Sequence, residues 1–189
     1  GSGASISAVV NGKSVDTSMG MTPLEGLVMG TRSGDIDPAI VEFICNKEGK
    51  SVSEVLTMLN KKSGVLGISG LSNDYRDLLE GEENGNQDAH NALDVLVYRI
   101  IKYIGAYHVA IGGADAIALT AGAGENNFVV RGRIVEGLSA LGIKLNEAAN
   151  TVRGEELLLS TPDSTIPVWV VPTNEELRIA RETAAVVEK

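Results

Sequence analysis

Two short stretches carry side chains suited to binding a phosphorylated ligand. MGTRSGDIDP holds Arg32 between glycines, and a guanidinium offers a planar fork for carboxylate or phosphoryl oxygens. SNDYRD places Asp74, Tyr75 and Arg76 together, where a ring or guanidinium could stack on a base and the carboxylate could accept from a ribose. Plainer interpretations stay open, because Arg32 could pair with a nearby aspartate and SNDYRD could be a solvated loop.

LTAGAGEN is a glycine-rich junction between an apolar run and a helical pattern. Gly122 and Gly124 have no Cβ atom, so a ligand could approach the backbone closely at these positions. The pattern is neither GxxxxGK[ST] nor GxGxxG, so it is not a standard phosphate-binding motif. By itself it fits a tight turn as well as a ligand-binding loop.

Two further positions have both a structural and a binding interpretation. Gly3 begins GASISAVV, whose small residues could wrap phosphate with backbone N–H groups or form a polar first strand. Glu175 in PTNEEL lies in the first turn of a predicted helix, where a carboxylate complements the helix dipole. The same carboxylate could hold Mg²⁺ directly or through water.

Composition excludes some classes of function. The 189 residues carry a net charge of −9 and a pI near 4.7, which disfavours binding to nucleic acid. Cys45 is the single cysteine, so no intramolecular disulfide can form and a cytoplasmic setting is expected. No apolar run approaches the roughly 20 residues of a membrane span, so no membrane partner is expected.

Patterning predicts an α/β chain. Asn11-Gly12 between two β-prone runs predicts a hairpin. The expected helices cover about 38–47, 87–109 and 127–141, with one more ending at the C-terminus. Buried strands at 116–120 and in PVWVV alternate with helices, which favours a partly parallel sheet.

Helix boundaries follow from capping residues. Ser51 with Glu54 and Thr173 with Glu176 fit capping boxes. Gly64 stands where the helix that starts at Ser51 would end. Residues 65–85 are expected to be loop-rich.

The order of these motifs resembles acetate kinases. DTSMGMTPLEGLVMGTRSGDIDPAI, residues 16–40, is the longest match, and LSNDYRDLLE, LTAGAGENN and VWVVPTNEELRIA follow in the family's order. The resemblance implies an α/β, ribonuclease-H-like fold of the actin, sugar kinase and heat-shock ATPase superfamily, with a mixed sheet flanked by helices. Residues 3–189 would form the C-terminal nucleotide-binding domain, residues 1–2 a tag remnant, and the N-terminal domain would be absent.

The resemblance also implies an activity and roles for these residues. Acetate kinases reversibly transfer the γ-phosphoryl group of ATP to acetate, giving acetyl phosphate and ADP with Mg²⁺. Arg32 would contact acetate or the transferring phosphoryl group, and Glu175 would bind Mg²⁺. The nucleotide would be held by Gly3, Asp74, Tyr75, Arg76, Gly122, Ala123, Gly124, Glu125 and Asn126.

Three departures from the family pattern accompany the resemblance. The phosphate loop, usually HLGNG, is reduced here to Gly1-Ser2-Gly3, and the usual GGIGEN reads AGAGEN with Ala121 and Ala123. Tyr75 occupies a position at which related sequences vary. A propionate kinase domain and a non-catalytic nucleotide-binding and dimerisation module remain alternatives, and the family implies a homodimer formed through this domain.

Overall fold

The computed structural model describes residues 3–187, apart from the side chain of Ala123. The expected tag remnant at residues 1–2 lies outside the described residues. The chain folds as two compact units, Gly1–Ala114 and Asp115–Lys189.

The first unit is a hairpin followed by helices. Its elements are β1 (Ser7–Val10), β2 (Lys13–Thr17), α1 (Ala39–Glu48), α2 (Val52–Lys61), α3 (Gly64–Ser69), α4 (Tyr75–Glu83) and α5 (Gln87–Ala110). The strands pair antiparallel, and Asn11 (φ 51°) and Gly12 (φ 74°) form the predicted turn. The hairpin prediction is therefore confirmed.

Helix α5 supplies much of the core of the first unit. Its helical periodicity places Leu93 and Leu96 inward, almost fully buried. Val55, Val65 and Leu78 of the shorter helices are likewise buried. The predicted long helix is confirmed to within one residue of its end.

Capping explains where α2 begins but not where it ends. The Ser51–Glu54 capping box is present in both directions, and the Ser51 hydroxyl lowers the pKa of the Glu54 carboxyl. Gly64 is not its C-terminal cap, because α2 ends at Lys61 and Gly64 begins α3 with φ 63°. The loop-rich prediction for 65–85 is also wrong, since α3 and α4 occupy most of that segment.

Two tyrosines fasten α5 to the segments beside it. The Tyr103 hydroxyl donates to Asp35 Oδ2 at 2.7 Å, and the Tyr107 hydroxyl donates to Asp16 Oδ1 at 3.2 Å. The two rings meet edge to face with centroids 5.7 Å apart. Burial first, and then the neighbouring aspartates, raise the pKa of each phenol to about 12.

The second unit contains a small mixed sheet. Its elements are β3 (Ile117–Leu119), α6 (Ala121–Asn126), α7 (Phe128–Gly137), a 3-10 turn (Ser139–Leu141), α8 (Glu147–Asn150), β4 (Leu157–Leu158), β5 (Val168–Val170) and α9 (Glu175–Val187). The strand order is β3-β5-β4, with β3 parallel and β4 antiparallel to β5. The predicted parallel pairing is confirmed.

The helix ends of this unit differ from two expectations. AGAGEN is not an open loop, because it forms the short helix α6 directly after β3. Helix α9 is capped by Asn174, whose Oδ1 accepts from Leu177 N at 3.1 Å. The predicted Thr173–Glu176 capping box is wrong, because the Thr173 hydroxyl is used in a contact with β3's end.

Arg131 is a buried cation in α7. Its guanidinium donates to the carbonyl oxygens of Glu125 (2.8 Å), Asn150 (2.5 Å) and Val152 (2.6 Å), and to the Asn150 side chain. Burial, reinforced by Arg153, lowers the pKa of Arg131. One side chain thus joins α6 to the segment after α8 through backbone carbonyls.

Residues 3–187 contain no helix that combines the length and the apolar character needed to cross a membrane.

Alkaline titration tests the two tyrosine anchors. A phenol ionises near pH 10 when unfolded and near pH 12 here, so its stabilising contribution is full below pH 10 and lost as pH rises through 12. Urea unfolding at stepped pH is expected to show stability falling over this window, in parallel with tyrosinate absorbance. The double variant Tyr103→Phe/Tyr107→Phe should flatten that fall, and an equally steep fall would contradict the assignment.

Replacing Arg131 tests the carbonyl cluster. Arg131→Met keeps much of the volume but leaves three carbonyl groups without their donor, so the free energy of unfolding should drop by about 3 kcal/mol or more. The exposed Arg153→Gln is the matched control and should change it by about 0.5 kcal/mol or less. Denaturant unfolding of both variants is the measurement, and a wild-type midpoint for Arg131→Met would refute the role.

Candidate functional site

Arg32 lies on a loop that the backbone fixes in place. Arg32 O accepts from Met29 N at 3.1 Å, and Ser33 N donates to Leu59 O at 2.9 Å. Gly64 permits a close approach here, because a Cβ at that position would lie 2.2 Å from Met29 O. The guanidinium is therefore carried by a rigid support.

The aspartates near Arg32 have other partners. Asp35 Oδ1 accepts from Gly26 N at 2.8 Å, while Oδ2 accepts from Arg99 and Tyr103. Asp37 accepts from Ala39 N at the start of α1. The interpretation in which Arg32 pairs with a neighbouring aspartate is thus excluded.

Within residues 3–187, no carboxylate bonds to Arg32. Its hydrogen bond runs from Nη1 to Met29 Sδ at 3.5 Å, and the residue is half-buried. A Cβ placed on Gly3 would lie 3.4 Å from the same Nη1, which puts Gly3 beside the guanidinium. The structure brings together Arg32 and Gly3, two of the residues proposed from sequence.

Residues 74–76 lie together at the start of α4, but part of their chemistry is internal. Asp74 caps the helix by accepting from Arg76 N at 2.9 Å, and it forms a two-point ion pair with the Arg76 guanidinium. Arg76 holds the pKa of Asp74 down at about 2. The Tyr75 residue is half-buried, and burial raises the pKa of its phenol.

The glycines of α6 differ in their surroundings. A Cβ on Gly122 would meet nothing within 4 Å, whereas one on Gly124 would lie 3.0 Å from Leu119 C. Gly124 therefore packs tightly against the end of β3, and Gly122 leaves space beside the backbone. The Asn126 side chain is exposed and bonds to nothing within 3–187, and Ala123 has no described side chain.

Glu125 makes a contact that sequence analysis missed. Its Oε1 accepts from Ala121 N at 2.7 Å and from Thr173 N at 2.8 Å. The Thr173 amide has the largest influence on the Glu125 carboxyl and lowers its pKa. Because residues 125 and 173 are 48 positions apart, only the parallel pairing of β3 with β5 gave a signal that these loops meet.

Glu175 is an exposed carboxylate at the first residue of α9, just beyond the end of β5. The described part of the chain contains no group of three or more His, Cys, Asp or Glu side chains able to hold a metal ion. A single carboxylate does fit Mg²⁺, which usually completes its shell with waters and substrate phosphates. Glu175 therefore suits a metal carried by a nucleotide better than a resident ion.

Each unit contributes one kind of chemistry. The first presents an arginine fork without a carboxylate partner, suited to stabilising oxygens that gain charge during transfer. The second presents an open glycine, an exposed amide and an exposed carboxylate at the carboxyl ends of two parallel strands, where α/β sheets bind ligands.

Comparison with known proteins agrees with the motif order. Residues 1–181 match the family model described as the acetokinase family. The chain is 60% identical to the acetate kinase of Dictyoglomus thermophilum and 56% identical to that of Methanosarcina thermophila, over its whole length in each case. It covers 47% and 46% of those proteins and so spans about half the length of the curated relatives it matches.

Solved structures confirm the expected fold class. The crystal structure of Porphyromonas gingivalis acetate kinase matches with a TM-score of 0.93 at 45% identity, over 98% of this chain and 47% of that one. A propionate kinase from Francisella tularensis matches with a TM-score of 0.90 at 43% identity, over 96% and 46%. The α/β fold is that of these kinases, and the chain belongs to the acetokinase family.

Proposed function

We propose that this chain is the nucleotide-binding half of an acetate kinase, which transfers the γ-phosphoryl group of ATP to acetate and back. The observation that carries the proposal is the Arg32 guanidinium, held on a fixed loop beside Gly3 with no carboxylate partner in 3–187. Phosphoryl transfer depends mainly on positioning and on cations that stabilise the equatorial oxygens. An arginine kept free of internal ion pairs fits that requirement.

The nucleotide and metal contacts belong to the same proposal. Gly122 and Asn126 would hold the adenosine and inner phosphates, since their backbone and side-chain groups are accessible. Glu175 would hold Mg²⁺, which when bound neutralises phosphate charge. Asp74 and Arg76 would reach the nucleotide only after exchanging part of their mutual ion pair.

Propionate kinase activity is the second candidate. The match to the Francisella tularensis propionate kinase favours keeping it. Acetate and propionate differ by one methylene, which is worth only about 1–3 kcal/mol in an apolar pocket. Overlapping acyl specificity is therefore part of the proposal.

We also propose a homodimer in the cytoplasm. Helix α1 has no buried residue within the described chain, and its apolar side chains Ile40 and Phe43 are 38% and 57% exposed. Such an apolar helix suits contact with a second copy. Cys45 as the single cysteine agrees with a reducing compartment.

Calorimetric titration with ADP and Mg²⁺ tests the nucleotide assignment. Wild-type chain is expected to bind, and Asn126→Ala should weaken binding by about tenfold or more because a ligand hydrogen bond is lost. Arg32→Ala should leave ADP affinity unchanged, since its partner is the transferring group.

Asn127→Ser is the matched control for that titration. Asn127 caps α7 by accepting from Val130 N at 3.0 Å, and serine preserves a cap, so affinity should not change. Wild-type affinity in Asn126→Ala would contradict the adenosine assignment. Loss of ADP binding in Arg32→Ala would contradict the division of roles.

Hydroxamate detection of acetyl phosphate tests the catalytic assignment. By the resemblance, the other half of an acetate kinase carries further catalytic groups, so this chain alone should turn over near background. Joined to that half from Dictyoglomus thermophilum acetate kinase, it should become active, and Arg32→Ala should then lower kcat about 10²–10³-fold. Arg153→Gln should not change kcat, and robust turnover by the chain alone would favour a different mechanism.

A further inference from the structure

One oxygen of the Glu125 carboxylate is bound to backbone N–H groups. Both N–H groups that it binds, those of Ala121 and Thr173, reach the same oxygen, Oε1. Ala121 is the second residue after β3, and Thr173 lies in the segment between β5 and α9. Glu125 therefore joins the turns that follow two neighbouring parallel strands.

The turn at Ala121 is one that alanine rarely adopts. Its φ is 59°, a left-handed conformation shared among the non-glycine residues of 3–187 only by Asn11. Such a conformation persists where surrounding contacts determine it. Here those contacts are Glu125 Oε1 and the Thr173 hydroxyl, which accepts from Ala121 N at 3.2 Å and bonds to the Thr120 hydroxyl at 2.5 Å.

We propose that Glu125 is a positioning residue: its carboxylate clamps the left-handed turn at Ala121 to the turn at Thr173. The proposal rests on the proposed function, in which the first turn leads to the nucleotide contact Asn126 and the second to the metal contact Glu175. Both contacts then depend on one hydrogen-bonding side chain that touches neither ligand. Nucleotide affinity and its dependence on Mg²⁺ should change together when the clamp is loosened.

Two substitutions distinguish the length of the Glu125 side chain from its charge. Glu125→Gln keeps the length of the side chain and an oxygen that can accept from both N–H groups, but it removes the charge. Glu125→Asp keeps the charge but is one methylene too short to reach both. A clamp requires reach, whereas direct binding of a cation or of an amino group by the carboxylate requires charge.

The alanine at 121 adds a second signature. Glycine adopts the left-handed conformation without the steric cost of a Cβ, so Ala121→Gly makes the turn less dependent on its clamp. Ala121→Gly should therefore restore part of what Glu125→Asp loses. Such non-additivity is expected of groups that support the same turn.

Amide hydrogen exchange of the intact chain without ligand is the first test. In wild type and Glu125→Gln, the Ala121 and Thr173 amides should be protected. In Glu125→Asp the Thr173 amide should exchange about tenfold faster or more, whereas the Ala121 amide keeps the Thr173 hydroxyl as an acceptor and should lose less protection. Unchanged protection of the Thr173 amide in Glu125→Asp would overturn the clamp. This arm does not involve nucleotide, so it decides the proposal even if the chain does not bind ADP and the proposed function fails.

Calorimetry with ADP and Mg²⁺ is the second test. Glu125→Gln should bind as wild type does, Glu125→Asp about tenfold more weakly, and Ala121→Gly/Glu125→Asp between the two. Loss of binding in Glu125→Gln while both amides stay protected would mean that the carboxylate charge acts directly on the ligand, and it would overturn the proposal. Unchanged binding in Glu125→Asp with the Thr173 amide no longer protected would overturn it as well.

Discussion

The Asp35 carboxylate helps to hold the loop that carries Arg32, and both of its oxygens accept hydrogen bonds from groups other than Arg32. One oxygen accepts from Gly26 N, and the other from Arg99 and Tyr103 of α5. An aspartate three residues from an arginine would otherwise be its natural ion-pair partner. The availability of the Arg32 guanidinium therefore depends on α5, whose buried face also forms the core of the first unit.

In the second unit, the charged side chains of Arg131 and Glu125 are hydrogen-bonded by backbone groups rather than by opposite charges. Helix α6 has a cation on one side, where Arg131 donates to the Glu125 carbonyl, and a carboxylate that accepts backbone N–H groups. Buried or partly buried charge is costly unless hydrogen-bonded, and oriented peptide groups supply those bonds here. Six residues with little hydrophobic core of their own are thereby held at the end of β3.

Sequence patterns predicted the features that depend on neighbours in the chain. The Asn11-Gly12 turn, the Ser51–Glu54 capping box and the length of α5 depend on local chemistry and helical periodicity, and all three are present. The family and its α/β fold were also accessible, because the motif order extends along the whole chain. Local rules failed where a tertiary contact competed, as when the Thr173 hydroxyl turned to Thr120 and left Asn174 to cap α9.

The sequence could not show, for the same reason, that Arg32 has no carboxylate partner within residues 3–187. Asp35 and Arg99 are 64 residues apart, and nothing in either segment specifies that they meet. SNDYRD was interpreted as a loop with ligand-binding groups, yet Asp74 is the N-cap of α4. Contacts between distant segments decided the roles of Asp35 and Thr173, whereas Asp74 is held by its bond to Arg76, two residues away.

The two glycines of α6 are subject to different constraints on substitution. Gly124 approaches Leu119 closely, so a larger residue there would strain the end of β3 and folding itself favours a glycine. Gly122 meets nothing that a side chain would disturb, so folding alone exerts no selection on its size. Across related chains, its retention would record continued use of the space beside it, and its drift would mark the point at which that use ended.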